Sequence, residues 1–367
     1  MRFCTKQLSQ LTILLLLVVN EVIVTAYRYP SQEEASCPRP GCVCNTTHVV
    51  CENSHFRNSD VFQQIHERAF PHMDTLMMTG NDFGDVSDGL FTEGEHHRSL
   101  SLMNLSRNGI TKISSDTFKG TPAVQFLYLK DNDIKHAGRY PFEPMERLRV
   151  LDMSNALGNR PAESKADLIS LLFDARRKGF VELAELKLSD NDIHKLHKDS
   201  FCKIHGLRRL DLSNNSLSAF DIAAGCLRSL EALDLRGNKF TNIPVALWDS
   251  LESLSTLDIS ENPLDCDCNL QPFATIARRE KYSFVNQGKT ICVSPPHRAG
   301  QNLFDLKEDL CKSRGWSIGT FILLIAISGA ALFAYRYYRN RIYKQPMFQF
   351  GYSGLDSNED AVRPEFV

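Results

Sequence analysis

LRRLDLSNNSL, residues 207–217, decides how this chain folds. Its skeleton is L-x-x-L-x-L-x-x-N-x-L, and the same skeleton returns at 100–110, 124–134, 183–193, 230–240 and 254–264. Residues 73–83 fit it with methionines in place of leucines. The frame asparagines are Asn81, Asn108, Asn132, Asn191, Asn215, Asn238 and Asn262, at steps of 27, 24, 59, 24, 23 and 24. The 59-residue step hides one further copy at Leu148, Leu151 and Met153, with Ala156 in the asparagine place. A fixed period of this length is the mark of a stacked array.

The frame is that of a leucine-rich repeat. One copy cannot bury its own leucines, so positions 1, 4, 6 and 11 need the next coil to cover them. The short strand alternates, and positions 3, 5 and 7 point out onto a concave face. The asparagine amide carries donors and acceptors, and it can satisfy backbone groups where the chain turns out of the strand. The expected fold is an α/β solenoid, a horseshoe of eight repeats over 73–262 with an irregular fourth repeat at 148–182. Such a surface binds a partner rather than enclosing a catalytic pocket.

An open solenoid exposes its core at both ends and needs a cap at each. Cys37, Cys42, Cys44 and Cys51 lie in the N-terminal cap region, 27–72. Cys266, Cys268, Cys292 and Cys311 lie in the C-terminal one, 263–312. Short caps are usually held by disulfides. A bridge across one intervening residue is geometrically disfavoured, which leaves two pairings per cap. Zinc coordination is the competing reading, and an oxidising compartment argues against it. Cys202 and Cys226 fall just before position 1 of adjacent repeats, and they are either bonded on the convex side or two buried thiols.

Residues 1–26 carry Arg2 and Lys6, an apolar stretch and then Val24-Thr25-Ala26, the form of a secretory signal. Residues 316–335 are uncharged and long enough to cross a bilayer. Arg336, Arg339, Arg341 and Lys344 follow, which keeps that side cytoplasmic. The expectation is a type I single-pass plasma-membrane protein, with repeats outside and residues 336–367 inside. Asn45, Asn104 and Asn214 each begin an N-x-S/T sequon and are candidate glycosylation sites.

The irregular repeat holds an extra segment. Ser164 and Asp167 resemble a capping box, Leu168, Leu171 and Leu172 have helical spacing, and Arg176 to Lys178 with Gly179 suit a helix end. A helix of about three turns on the convex side is expected, as a tolerated insertion or a protruding contact element.

On the concave face, positions 3 and 5 of the first four repeats are mostly apolar, and those of the last four are mostly charged. Met77, Leu102, Phe126, Tyr128 and Val150 are the candidate partner-binding residues, because exposed apolar clusters mark partner sites. Asn104 lies among them, so a glycan there would cover much of the patch. Asp211, Asp234 and Asp258 form a row that reads as a solvated ladder rather than a metal site.

In the tail, Tyr352 and Leu355 have the Y-x-x-Φ form of a sorting signal, and Val367 offers a free carboxylate to a PDZ-type cytoplasmic partner. The net charge of −2 argues against nucleic acid. No catalytic motif spacing, phosphate loop or zinc motif is present in the sequence, so neither an enzyme nor a cofactor is expected.

The cap sequences CPRPGCVCNTTHVVC (37–51) and NPLDCDC (262–268) resemble those of extracellular leucine-rich repeat proteins. Within that class, the segment SLLFDARRKGF, the repeat LRRLDLSNNSL after it, and a short basic-then-acidic tail ending in Val resemble the trophoblast glycoprotein family. That resemblance implies inhibition of canonical Wnt signalling through an extracellular ligand or co-receptor. It also implies cap disulfides Cys37–Cys44, Cys42–Cys51, Cys266–Cys292 and Cys268–Cys311. The tail departs from the family by ending Glu-Phe-Val rather than Ser-Asp-Val, and Ala156 departs from the repeat consensus. A cell-adhesion or synapse-organising protein is the alternative function.

Overall fold

The leucine at frame position 4 must face the core while its two neighbours point outward, so each frame forms a short strand there. The structure, a computed structural model, describes residues 37–38, 41–176, 179–223, 225–243, 251–277, 282–306, 309–311 and 318–342. Residues through Cys311 form one compact unit and those from Lys312 a second. The signal segment 1–26, Trp316, Tyr352, Leu355 and Val367 lie outside the described residues.

The repeat strands are β3 (Thr75–Thr79), β4 (Leu102–Asn104), β6 (Phe126–Tyr128), β8 (Val150–Asp152), β9 (Glu185–Lys187), β10 (Arg209–Asp211), β11 (Ala232–Asp234) and β12 (Thr256–Asp258). The N-terminal cap adds the hairpin β1 (Val43–Cys44) and β2 (His48–Glu52), and the C-terminal cap adds β14 (Ser283–Phe284). Among the described residues these make one eleven-stranded sheet, parallel except for β1 against β2. Two short parallel pairs complete the strands: β5 (Lys112–Ile113) with β7 (His136–Ala137), and β13 (Leu264–Asp265) with β15 (Cys292–Ser294). The position-4 leucines and methionines, from Leu76 to Leu257, are buried in one continuous core.

Asparagine ties each coil to the one before it. Asn191 is buried; its Oδ1 accepts the N–H groups of Ala156 (2.8 Å) and Leu157 (2.7 Å), and its Nδ2 donates to the carbonyls of Met153 (2.8 Å) and Ser189 (3.0 Å). Asn132, Asn215, Asn238 and Asn262 repeat this pattern. At Ala156 the side-chain bridge is missing, and its backbone carbonyl accepts the Ile134 N–H (2.8 Å). Frame position 8 adopts left-handed backbone in all eight repeats: Gly80, Arg107, Asp131, Asn155, Asp190, Asn214, Gly237 and Glu261. A Cβ at Gly237 would lie 2.5 Å from Asn214 Oδ1, so a larger residue there would push that side chain aside, and glycine takes the left-handed backbone without strain.

A second column fills the convex side of the core. Phe118, Phe142, Phe173 and Phe201 are buried, with successive ring centroids 5.6, 6.4 and 5.9 Å apart. The extra segment of the irregular repeat delivers Phe173 to this column. Its helix α1 (Ala162–Leu172) buries Leu168, Ile169 and Leu172. The helix is therefore built into the core and is not a protruding element.

Two details differ from expectation. The helix starts at Ala162 after Pro161, with no side-chain cap, so Ser164 lies inside the first turn; Asp167 meets His197 Nε2 at 2.8 Å instead. It ends at Leu172, before the basic cluster, because Phe173 must turn inward. Arg176 stacks over Tyr140 at 4.6 Å. Lys165 is buried and donates to the Asn191 carbonyl (2.6 Å), which fastens the helix to the next repeat.

The structure bonds Cys37 to Cys44 and Cys42 to Cys51, and Cys266 to Cys292 and Cys268 to Cys311. It also bonds Cys202 to Cys226, joining adjacent repeats on the convex side. The C-terminal cap contributes α2 (Gln271–Ala277), which buries Phe273 and Ile276. In the second unit, α3 (Ile318–Ile342) is long and apolar enough to cross a membrane, with an 18-residue window of mean hydropathy 1.6 in the part from Phe321. It runs past residue 335 and carries Arg339 and Arg341 in its last turn.

Asn191→Leu leaves the Ala156 and Leu157 N–H groups buried without acceptors. Chemical denaturation of the full chain is expected to show a loss of about 3 kcal/mol or more.

Candidate partner-binding face

Strand register turns the frame positions into two rows across the concave face. Position 3 aligns Thr75, Leu102, Phe126, Val150, Glu185, Arg209, Ala232 and Thr256. Position 5 aligns Met77, Asn104, Tyr128, Asp152, Lys187, Asp211, Asp234 and Asp258. Leu102, Phe126 and Val150 thus sit side by side on neighbouring strands, while Met77 and Tyr128 are separated by Asn104. Register changes the face from apolar to charged where β8 meets β9: Val150 opposes Glu185 and Asp152 opposes Lys187.

All five apolar candidates are half-buried rather than fully exposed. Neighbouring side chains on a sheet face stand close enough to cover one another. The patch is therefore smoother and smaller than an exposed cluster.

The aspartates have a folding role that was not read from the sequence. Asp152, Asp211, Asp234 and Asp258 each accept, through Oδ1, the N–H two residues on, at 2.9–3.0 Å. Asn104 Oδ1 does the same for Ser106 N–H (3.0 Å). These are Asx turns, which bend the chain out of the strand. The recurrence of Asp or Asn at position 5 was the available signal.

Charges in the C-terminal half are partly matched. Glu185 accepts Arg209 Nη1 (3.1 Å) and lies 3.3 Å from Lys187 Nζ. Burial works against the Lys187 charge, but Glu185, Asp152 and Asp211 outweigh it and hold its pKa above the ordinary lysine value. Burial, reinforced by the Asp211 and Asp258 carboxylates, pushes Asp234 up to about 6 against the opposing Arg236. A shallow recess of about 320 Å³ lies here, bordered by Arg209, Asp211, Asp234, Asp258 and Val285.

Of the sequons, Asn45 sits in the β1–β2 turn, with Oδ1 accepting the Thr47 and His48 N–H groups (2.8 and 2.7 Å). Asn214 is exposed at a position-8 turn, and Asn104 stands on the concave sheet. Asp199 lies near Cys202 and Cys226, whose sulfurs are joined to each other.

The leucine-rich repeat family model matches residues 71–134, 98–157 and 181–240, leaving out part of the irregular repeat and the eighth repeat. The fold is a leucine-rich repeat solenoid. Mouse trophoblast glycoprotein is 25% identical over 257 residues, covering 65% of this chain and 60% of that protein. Mouse CD180 antigen is 25% identical over 261 residues, covering 65% of this chain and 39% of its own length. The chain thus spans less than two thirds of these relatives. The crystal structure of human trophoblast glycoprotein, also named Wnt-activated inhibitory factor 1, aligns with a TM-score of 0.62 at 23% identity, over 74% of this chain and 97% of that one. Its likeness establishes the shared fold. The resemblance to the trophoblast glycoprotein family is supported by these matches.

A raised carboxyl destabilises the folded state above its folded pKa, and the penalty is relieved as pH falls from about 6 toward 3.8. Asp234→Asn keeps the Oδ1 acceptor and removes the charge. It is expected to stabilise the protein at pH 7.5 by on the order of 1 kcal/mol after allowance for partial exposure, with the gain disappearing near pH 4. Thermal melting across that pH range measures it.

Proposed function

We propose that this protein is a cell-surface glycoprotein that binds a protein partner through the apolar half of its concave face and modulates signalling. The observation that carries this is the in-register row Leu102, Phe126 and Val150, with Met77 and Tyr128 alongside. A rigid sheet presents these side chains at fixed strand spacing, and aromatic and methionine side chains suit interface anchors.

The topology in this reading is type I. The signal at 1–26 is removed, the repeats and both caps lie outside, α3 crosses the membrane, and the tail to residue 367 lies inside. Five disulfides suit an oxidising extracellular setting. The tail carries the sorting form at Tyr352 and Leu355 and a carboxylate at Val367 for a PDZ-type groove. The specific activity we propose is inhibition of canonical Wnt signalling, brought from trophoblast glycoprotein.

Cells expressing Met77→Glu with Tyr128→Glu are expected to lose inhibition in a Wnt reporter assay. Each charge lands on a half-buried face and costs a partner contact about 1–3 kcal/mol. Unchanged inhibition, with normal surface expression, removes this patch from the mechanism. Clustering of beads coated with the ectodomain would move the reading to adhesion.

A further inference from the structure

Asn104 differs from every frame asparagine in what its amide does. The frame residues engage both ends: Asn132, Asn191, Asn215 and Asn262 donate through Nδ2 to two or more backbone carbonyls, at 2.6–3.2 Å. Asn104 engages only its oxygen, with Ser106 N–H, and its Nδ2 makes no hydrogen bond among the described residues. Position 5 needs only an acceptor for its turn, since Asp152, Asp211, Asp234 and Asp258 make the same bond without an amide nitrogen. The Asn104 nitrogen is therefore surplus to the fold. It begins the triplet Asn104-Leu105-Ser106, with Leu105 buried and the Ser106 N–H holding the amide plane fixed.

Its neighbours make that nitrogen consequential. Met77 opposes Asn104 from β3 and Tyr128 opposes it from β6, with Leu102 two residues back on the same face. Asn214 lies at an exposed turn beyond its strand and Asn45 at the hairpin tip, so neither stands among these side chains.

We propose that Asn104 carries an N-linked glycan that lies over Met77 and Tyr128, so that its occupancy sets access to the apolar half of the concave face. This deepens the docking reading given above and rests on it for its consequence. In the transfer, Nδ2 loses a proton and forms a bond to the anomeric carbon of a lipid-linked oligosaccharyl diphosphate. The carbon–oxygen bond to phosphate breaks, and the lipid diphosphate leaves with the electron pair. Neighbouring strands are roughly 5 Å apart, less than the reach of the first sugars, so both flanking side chains fall beneath them. The unglycosylated fraction leaves the half-buried apolar rows uncovered by sugar; the glycosylated fraction presents sugar over Met77 and Tyr128.

The test uses the full chain, expressed through the secretory pathway of animal cells and held in nanodiscs. Glycopeptide mass spectrometry reads Asn104 occupancy. Hydroxyl-radical footprinting compares the wild type with Ser106→Ala, which removes the sequon and keeps the backbone N–H. Occupied Asn104 is expected, with Met77 and Tyr128 oxidising about threefold faster or more in Ser106→Ala, as for side chains that lose a covering group. Tyr140, beneath Arg176, serves as the unchanged reference. An unmodified Asn104 overturns the proposal, and so does an occupied one with equal oxidation in both proteins. If Ser106→Ala fails to fold, enzymatic deglycosylation of the wild type replaces it, because that converts Asn104 to the Asp other repeats carry. Neither measurement involves a partner, so failure here leaves the docking reading standing, and failure of the reporter assay leaves this one standing.

Discussion

Everything in this solenoid depends on one side-chain amide bridging two coils. Where the chain leaves its strand, backbone N–H and C=O groups point into the core at the same place in each repeat. Buried backbone groups without partners are costly. Asn132, Asn191 and Asn215 close that gap with oxygen and nitrogen at once, and each reaches back across about one repeat of sequence. Because the bridge has a fixed length, it also sets how far one coil can slide against the next. Strand register follows from it, and the rows on the concave face follow from the register.

The irregular repeat illustrates the same constraint by exception. Ala156 offers no amide, and other contacts hold its coil. Arg176 packs back on Tyr140, while Lys165 and Asp167 reach forward to Asn191 and His197. Phe173 continues the convex column between Phe142 and Phe201. An insertion that had merely been tolerated would leave a gap in that column. This one fills it, so its length answers to packing.

Much of this was legible in the sequence because period and alternation act locally. The leucine frame located every repeat strand, and cysteine spacing located both caps. What was not legible arose from neighbours distant in sequence. The capping box at Ser164 failed because Pro161 starts the helix one turn sooner and Asp167 is drawn to His197. Left-handed backbone at position 8 was visible at Gly80, Asn155 and Gly237, but Arg107 and Glu261 hide it. The column of phenylalanines went unread because its spacing runs irregularly through the insertion. The frame placed Met77, Leu102, Phe126, Tyr128 and Val150 on neighbouring strands, and their exposure was overestimated, since half-burial depends on cross-strand neighbours.

The position-5 row separates folding from recognition. Five of its eight members are Asp or Asn, and each closes an Asx turn. Their charge on the C-terminal half is in good part a consequence of turn geometry, and the pressure on Asp234 is the cost of stacking such turns side by side. Met77, Tyr128 and Lys187 fill the same position without making that bond. Lys187 has a local reason, lying among Glu185, Asp152 and Asp211. Met77 and Tyr128 have none: neither closes the turn nor neutralises a neighbour, and both stand half-buried on a face the core does not need. Residues that the fold does not require, placed on either side of an asparagine whose nitrogen the fold does not require, are where contact with another molecule has the most freedom to shape the sequence.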